Sequence, residues 1–173
     1  MNQTVTTTTT KGLVLSLILI VIALAVYFSG INMSSGIQYV GYLVFCIGII
    51  YFISQYGKQI NYASTFGNYF SHGFKISAIV TVIMIIYVVI FFMLFPEVKE
   101  KAMEEARKGM QSKNLSEEQM TQAIDMTRKF FMAFLIGGTL IGYLLFGVIA
   151  SLIGAAVTKK DPNNFQQQTG QIS

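Results

Sequence analysis

Four long apolar blocks constrain the fold of this chain more than any other feature. They cover residues 12–30, 37–54, 75–95 and 130–157, and apart from Lys75 none of them contains a charged residue or a histidine. A helix needs about 20 apolar residues to cross a hydrocarbon core roughly 30 Å thick, and in lipid its backbone groups must be paired within the segment. The blocks therefore predict an all-α, polytopic membrane protein with four transmembrane helices. A single domain, residues 12–160, would contain them, between disordered tails at residues 1–11 and 161–173.

The composition also favours a membrane location. Of the 173 residues, 53% are hydrophobic and 12% are charged, whereas a soluble domain usually carries about 25% charged residues. A cleavable signal peptide is the alternative for the first block, because Ala23-Leu24-Ala25 fits the small-x-small cleavage pattern. The apolar run continues to Phe28, however, so we favour a span that is not cleaved.

The charged residues are concentrated in one segment, residues 96–129. Of the 12 basic and 8 acidic residues of the chain, seven of each sign lie there. Two interpretations of this segment remain open. It is either a solvated spacer between two spans or a docking surface for a partner.

Local signals predict that the same segment is a helical hairpin outside the membrane. Pro96 suits the first turn of a helix, and Ser116 with Gln119 forms a capping box that starts another helix. Nothing in the sequence interrupts that second helix before the apolar block. We therefore expect a hairpin between transmembrane helices 3 and 4, with its second arm running as one helix from Glu117 to Val157.

The orientation depends on how the basic residues are weighed. With four spans, the hairpin carries seven basic residues on one side, and five flank the spans on the other, namely Lys11, Lys58, Lys75, Lys159 and Lys160. A plain count would place the hairpin in the cytoplasm, but the first helix usually dominates, and its flanking charge is on the N-terminal side. We therefore predict a multi-pass protein of the bacterial inner (cytoplasmic) membrane, with both termini cytoplasmic and residues 96–129 periplasmic.

Small residues recur in the second and fourth spans, where Gly138 and Gly142 form a GxxxG motif. Lipid tails are as apolar as leucine, so transmembrane helices associate through the close packing that small side chains permit. The motif does not separate an intrachain contact from a contact with a second chain, and both remain open. The predicted packing or interaction residues are Gly41, Gly48, Gly138, Gly142, Gly147, Ser151 and Ala155.

Aromatic residues precede the third span. Phe66, Tyr69, Phe70 and Phe74 recur at helical spacing and predict an aromatic belt at the membrane interface, in a chain without tryptophan. His72, on another face, is expected to be an interfacial polar residue and not a ligand or a base. A site for a lipid headgroup or an isoprenoid is the alternative use of this region.

The predicted spans contain no ionisable group at membrane depth, and this narrows the classes of function. Proton relays and ion-coupled carriers place ionisable groups at membrane depth, and these spans have none there. The sequence also shows no nucleophile–base pair, no phosphate-binding loop and no metal-ligand cluster, so we expect no enzyme activity, no cofactor and no metal. The net charge of +4 favours contact with anionic membrane lipids over nucleic acid.

Three functions remain compatible with these observations. The leading one is an accessory or scaffold subunit that binds another membrane protein or a second copy of itself. The second is a channel or transporter subunit that functions only as an oligomer. The third is a protein that handles lipids or polyprenols.

Several local patterns, taken in order, resemble a small bacterial inner-membrane family known only as a domain of unknown function. They are Lys11-Gly12 before the first span, the run from Phe66 to Lys75, Phe95-Pro96, the Ser116-Glu117-Glu118 step, and a glycine-rich fourth span that ends at Lys159-Lys160. The resemblance covers residues 11–160. It implies a four-helix inner-membrane protein with an uncleaved first span, and it supplies no activity and no functional residues.

Overall fold

The computed structural model describes residues 7–30, 36, 38–111 and 116–161, and in this part of the chain all regular structure is helical. The helices are α1 (Thr8–Phe28), α2 (Gln38–Gln59), α3 (Phe66–Leu94), α4 (Pro96–Gln111), α5 (Glu117–Lys129) and α6 (Phe131–Val157). Four of them, α1, α2, α3 and α6, are long and apolar enough to cross a membrane. The predicted all-α fold with four spans is confirmed. Of the predicted disordered tails at residues 1–11 and 161–173, residues 1–6 and 162–173 lie outside the described residues. The prediction is wrong for residues 8–11, which belong to α1.

Threonine caps start α1 and α3 earlier than the apolar blocks begin. The Oγ1 atom of Thr7 accepts a hydrogen bond from the Thr10 N–H at 3.3 Å, and Thr65 Oγ1 accepts one from the Asn68 N–H at 3.3 Å. A side-chain oxygen at this position satisfies a donor of the first turn, which has no partner inside the helix. Because both helices start early, Lys11 lies in the first turns of α1 and His72 lies inside α3.

The chain forms two compact units. The first comprises residues 1–84 and 141–173, and the second comprises residues 85–140, so α3 and α6 each contribute to both. In the first unit, α2 buries Phe45, Ile49 and Ile53, which recur every four residues and so share one face. The core of this unit is therefore built from one stripe on each helix, and the remaining apolar surface is left for lipid.

The turn between α2 and α3 brings the end of one helix next to the start of the other. Asn61 and Tyr62 both adopt left-handed backbone angles, with φ of 51° and 59°. Asparagine tolerates this region, but a bulky aromatic residue does so only when its surroundings hold it. Here the Tyr62 N–H donates to the Gly57 carbonyl at 2.7 Å, and the Tyr62 carbonyl accepts from the Asp161 N–H at 3.0 Å.

The second unit contains the hairpin. A single residue, Phe95, separates α3 from α4, because a residue before proline is pushed out of the helical region. Glu100 on α4 and Arg128 on α5 form an ion pair at 3.0 Å, close to the hairpin's base. The two helices run antiparallel, so the predicted extramembrane hairpin is present.

The capping box at the start of α5 is confirmed. The Gln119 N–H donates to Ser116 Oγ at 3.3 Å, and the Ser116 N–H donates to Gln119 Oε1 at 3.2 Å. This reciprocal pair satisfies two backbone donors at the helix start.

The prediction of one helix from Glu117 to Val157 is wrong. Phe130 leaves the helical region, with φ of −101° and ψ of 13°, and separates α5 from α6. Backbone hydrogen bonds still continue across this residue, from the Phe130 N–H to Met126 at 3.0 Å and from the Phe134 N–H to Phe130 at 2.9 Å. The departure is therefore limited to one residue, and neither glycine nor proline marks it in the sequence.

Candidate functional site

Three of the predicted packing glycines lie where two helices of the first unit meet. A Cβ atom built on Gly48 would be 2.5 Å from Leu15 Cδ1 of α1, and one on Gly142 would be 2.6 Å from the hydroxyl of Tyr42 on α2. A Cβ on Gly147 would overlap Ser77 of α3. These glycines therefore allow contacts that a larger residue would prevent.

The other predicted packing positions divide into buried and open ones. Ser151 and Ala155 of α6 are fully buried. In contrast, a Cβ on Gly41 or Gly138 would meet no atom within 4 Å in the described part of the chain. The structure thus brings Gly142 of the GxxxG motif into a contact and leaves Gly138 open.

The predicted packing residues leave out four further glycines with close contacts, one of which is Gly57, where a Cβ would be 2.7 Å from Thr158 Cγ2. A Cβ on Gly12 would be 2.7 Å from Ile79, and a Cβ on Gly73 or Gly154 would be 2.5 Å or 2.6 Å from Ile53 Cδ1. These glycines belong to no GxxxG pair. The signal that could have found them is the helical face each one shares with buried residues.

The aromatic residues at the start of α3 are divided between two faces. Phe66 and Phe74 are exposed, and Phe70 stacks on Phe74 with ring centroids 6.0 Å apart. Tyr69, which the spacing groups with them, is fully buried instead, and its hydroxyl donates to the Lys159 carbonyl at 3.3 Å. A buried tyrosine needs a partner for its hydroxyl, and the residues that follow α6 supply one.

A polar cluster joins α1, α2 and α3 at one end of the first unit. Lys11 is only 2% exposed, and its Nζ atom lies 3.5 Å from Nε2 of His72. The imidazole stacks on the Tyr56 ring, with centroids 4.0 Å apart and planes 7° from parallel, and the Lys11 ammonium is 5.6 Å from the centre of that ring. A protonated Lys11 has donors only, so in that state Nε2 of His72 would be the acceptor.

A cavity of about 570 Å³ adjoins the cluster. Lys11 does not line this cavity, but His72 and Tyr56, the two residues that the Lys11 ammonium contacts, do line it. The lining residues come from the start of α1, the end of α2 and the first turns of α3, and they are Thr7, Thr8, Tyr56, Asn68, Ser71, His72 and Lys75. Their side chains offer hydroxyl, amide, imidazole and ammonium groups, and no carboxylate.

Sequence reasoning did not bring these residues together. The sequence predicts a flanking charge at Lys11 and a lone interfacial residue at His72. The two are 61 positions apart, and the signal that could have joined them is topological. In a four-helix chain, the start of the first span and the start of the third lie on the same side of the membrane.

The hairpin has its own charged features. A cavity of about 380 Å³ is lined by residues of both signs, including Arg107, Glu117 and Asp125. On α4, the Lys108 ammonium lies 2.8 Å from the Glu104 carboxylate. This bond and the nearby positive charge lower the pKa of Glu104 from its ordinary value, and the carboxylate in turn raises the pKa of Lys108.

Four apolar helices of membrane-spanning length and a charged helical hairpin define this molecule as a multi-pass integral membrane protein. The chain belongs to the family described as protein of unknown function (DUF4199), whose family model matches residues 10–160. No curated protein and no solved structure matches it.

Proposed function

We propose that this protein is an accessory subunit, without a catalytic step of its own, that binds another membrane protein through its extramembrane hairpin. The observation that carries the proposal is that α4 and α5 are held together by their own contacts while their charged side chains stay exposed. Such a hairpin presents a preformed surface, so binding would not have to order it first.

The contacts that hold the hairpin lie at its base and between its arms. The Glu100–Arg128 ion pair joins the arms, and Met103 of α4 is buried with 6% exposure. Phe131, at the start of α6, packs edge-on against Phe92 of α3 at 5.2 Å and lies 5.4 Å from the Lys99 ammonium. The hairpin is therefore fixed to the helices from which it emerges.

The outer surface of the hairpin carries both signs of charge. Lys101 and Glu105 are exposed on α4, and Glu118 and Asp125 are exposed on α5. Alternating charges of this kind give selectivity between partners more than raw affinity, because a wrong partner would place like charges together. This pattern supports a specific protein partner more than a general attraction to one sign of charge.

Connectivity and the dominance of the first span support the orientation that accompanies this proposal. We infer a bacterial inner-membrane location in which both termini and the turn between α2 and α3 are cytoplasmic. The hairpin then faces the periplasm, and its partner would be a membrane protein with a periplasmic surface.

Purification of the full tagged chain in a mild detergent, followed by quantitative mass spectrometry, tests the accessory role. We expect a protein in stoichiometric amount, which Lys101→Glu with Glu105→Lys releases and Lys58→Glu retains. Lys58 is an exposed lysine of α2 outside the hairpin and serves as a charge-reversal control. A chain that purifies alone would contradict the proposal. A homo-oligomer that conducts ions in planar bilayers would instead support the channel alternative.

A further inference from the structure

Lys11, the buried lysine of α1, has no counter-charge among the described residues. Lys11 is 2% exposed and makes no ion pair in residues 7–30, 36, 38–111 and 116–161. A buried ammonium is costly unless an opposite charge and hydrogen bonds compensate it. The His72 nitrogen and the face of Tyr56 provide acceptors but no negative charge.

Acidic residues of this chain are scarce where a counter-charge is needed. Seven of the eight lie between residues 96 and 129, and Asp161 is the one acidic residue of the first unit. Neither Lys11 nor Lys75 forms an ion pair with Asp161 in the described structure. A bound anion would supply the compensating charge.

The cavity next to the cluster has the chemistry to hold such an anion. Lys75 supplies a positive charge at its wall, and Thr7, Ser71 and Asn68 supply hydroxyl and amide donors. When Nε2 of His72 accepts from a protonated Lys11, its Nδ1 carries the proton and is a further donor.

Two helix starts add to this positive environment. Thr7 and Thr8 belong to the beginning of α1, while Asn68 and Ser71 belong to the first two turns of α3. The N-terminus of a helix carries partial positive charge and favours anions, phosphate groups in particular. The cavity is therefore bordered by two helix starts and by Lys75. The buried Lys11 does not line it but contacts His72, which does.

We propose that the cavity lined by Thr7, Tyr56, Ser71, His72 and Lys75 binds a phosphate group, with Lys11 acting through His72 as a positioning residue. The phosphate can belong to a lipid headgroup or to free inorganic phosphate, and the chemistry of the site is the same for both. Its volume of about 570 Å³ lies in the usual range for small-molecule sites. Binding here is independent of the accessory role of the hairpin.

Ligand-induced thermal stabilisation of the full chain, delipidated in a neutral detergent, tests the site. One arm adds phosphatidic acid in mixed micelles, a second adds phosphatidylcholine, and a third adds sodium phosphate against sodium chloride at equal ionic strength. We expect saturable stabilisation by phosphatidic acid, whose phosphate is a terminal monoester. Phosphatidylcholine should stabilise the protein less, because its phosphate is a diester capped by a cationic choline. Equal stabilisation by sodium phosphate would show that the phosphate group alone is sufficient. If sodium phosphate gives no stabilisation while phosphatidic acid does, the site binds a lipid.

Two matched lysines separate a built site from general charge attraction. Lys75→Gln should raise the half-saturating concentration about fivefold, which corresponds to the loss of one lysine near an anionic headgroup. Lys58→Gln, an exposed lysine of α2 outside the cavity, should leave it unchanged. Equal effects of the two variants, or no saturable stabilisation by any phosphate, would overturn the proposal.

Lys11→Met supplies a second readout that a purely structural lysine would not give. Without phosphate, this variant should melt at a higher temperature than the wild type, because it removes a buried charge that lacks a counter-charge. With phosphate, the order should be reversed or the difference lost. A variant that is less stable than the wild type both with and without phosphate would contradict the positioning role.

Discussion

Gly147 and Gly138 form a matched pair that tests the helix packing of this protein. Both lie inside α6, so replacement by alanine should give each the same gain in helix propensity, about 0.5–1 kcal/mol. They differ in their surroundings. A Cβ on Gly138 would meet no atom within 4 Å in the described part of the chain, whereas a Cβ on Gly147 would lie 2.7 Å from Ser77 Cβ and overlap its hydroxyl.

The expected magnitudes follow from these contacts. Overpacking a helix contact costs about 1–3 kcal/mol, and the displaced Ser77 hydroxyl would also lose its bond to the Tyr143 carbonyl, worth about 1 kcal/mol. That bond measures 3.4 Å. After the gain in propensity is subtracted, Gly147→Ala should destabilise the protein by about 2 kcal/mol. Gly138→Ala should stabilise it by up to about 1 kcal/mol.

Heating in mild detergent, followed by size-exclusion chromatography, gives the sign of the change in stability. SDS titration in mixed micelles gives its magnitude. The midpoint for Gly147→Ala should fall by roughly 4–8 °C, and the midpoint for Gly138→Ala should stay level or rise. Ser77→Gly in the Gly147→Ala background removes the clashing atoms and should restore part of the loss. Equal stability of Gly147→Ala and the wild type would refute the packing of α3 against α6. A loss of stability in Gly138→Ala would instead indicate a contact with a second chain.

Further predictions concern the hairpin and the topology. Ser116→Ala should lower the helicity of α5, at a cost of about 1 kcal/mol, and normal amide-exchange protection in its first turn would argue against the capping box. An NMR titration in micelles should give Glu104 a pKa below its ordinary value, and Lys108→Gln should raise that pKa. The stabilisation from this pair is therefore present above the ordinary glutamate pKa and is lost as the pH falls through the lowered one. In a cysteine-free background, an impermeant maleimide should label Glu105→Cys from the periplasm and Lys58→Cys only from the cytoplasm, and the opposite pattern would reverse the orientation.

The four spans could be predicted because hydrophobicity along the chain is a local property. Their ends could not, since the caps of α1 and α3 are threonines in polar segments where composition gives no boundary. The interruption at Phe130 has no local signal either. It lies where a charged helix, paired with α4, gives way to a uniformly apolar one.

The candidate site depends on contacts between distant residues. Periodicity placed Tyr69 with the exposed phenylalanines, because spacing alone does not tell which side of an aromatic stripe is covered by another helix. Lys11 and His72 meet only after α1 and α3 are placed side by side. The small residues of α6 were recognisable as a group, but their individual partners, such as Tyr42 for Gly142, depend on the register between helices.

The sparse burial in the hairpin has a consequence for how this molecule unfolds. Helix α5 has no buried residue, and in α4 Met103 is the buried one among the side chains described. Segments with so little burial open at lower free energy than packed cores. We therefore expect two stages on heating, the hairpin first and the packed apolar helices later. Helix content measured by circular dichroism would record both stages, whereas loss of the monodisperse peak would record the second, so no single melting temperature describes this chain.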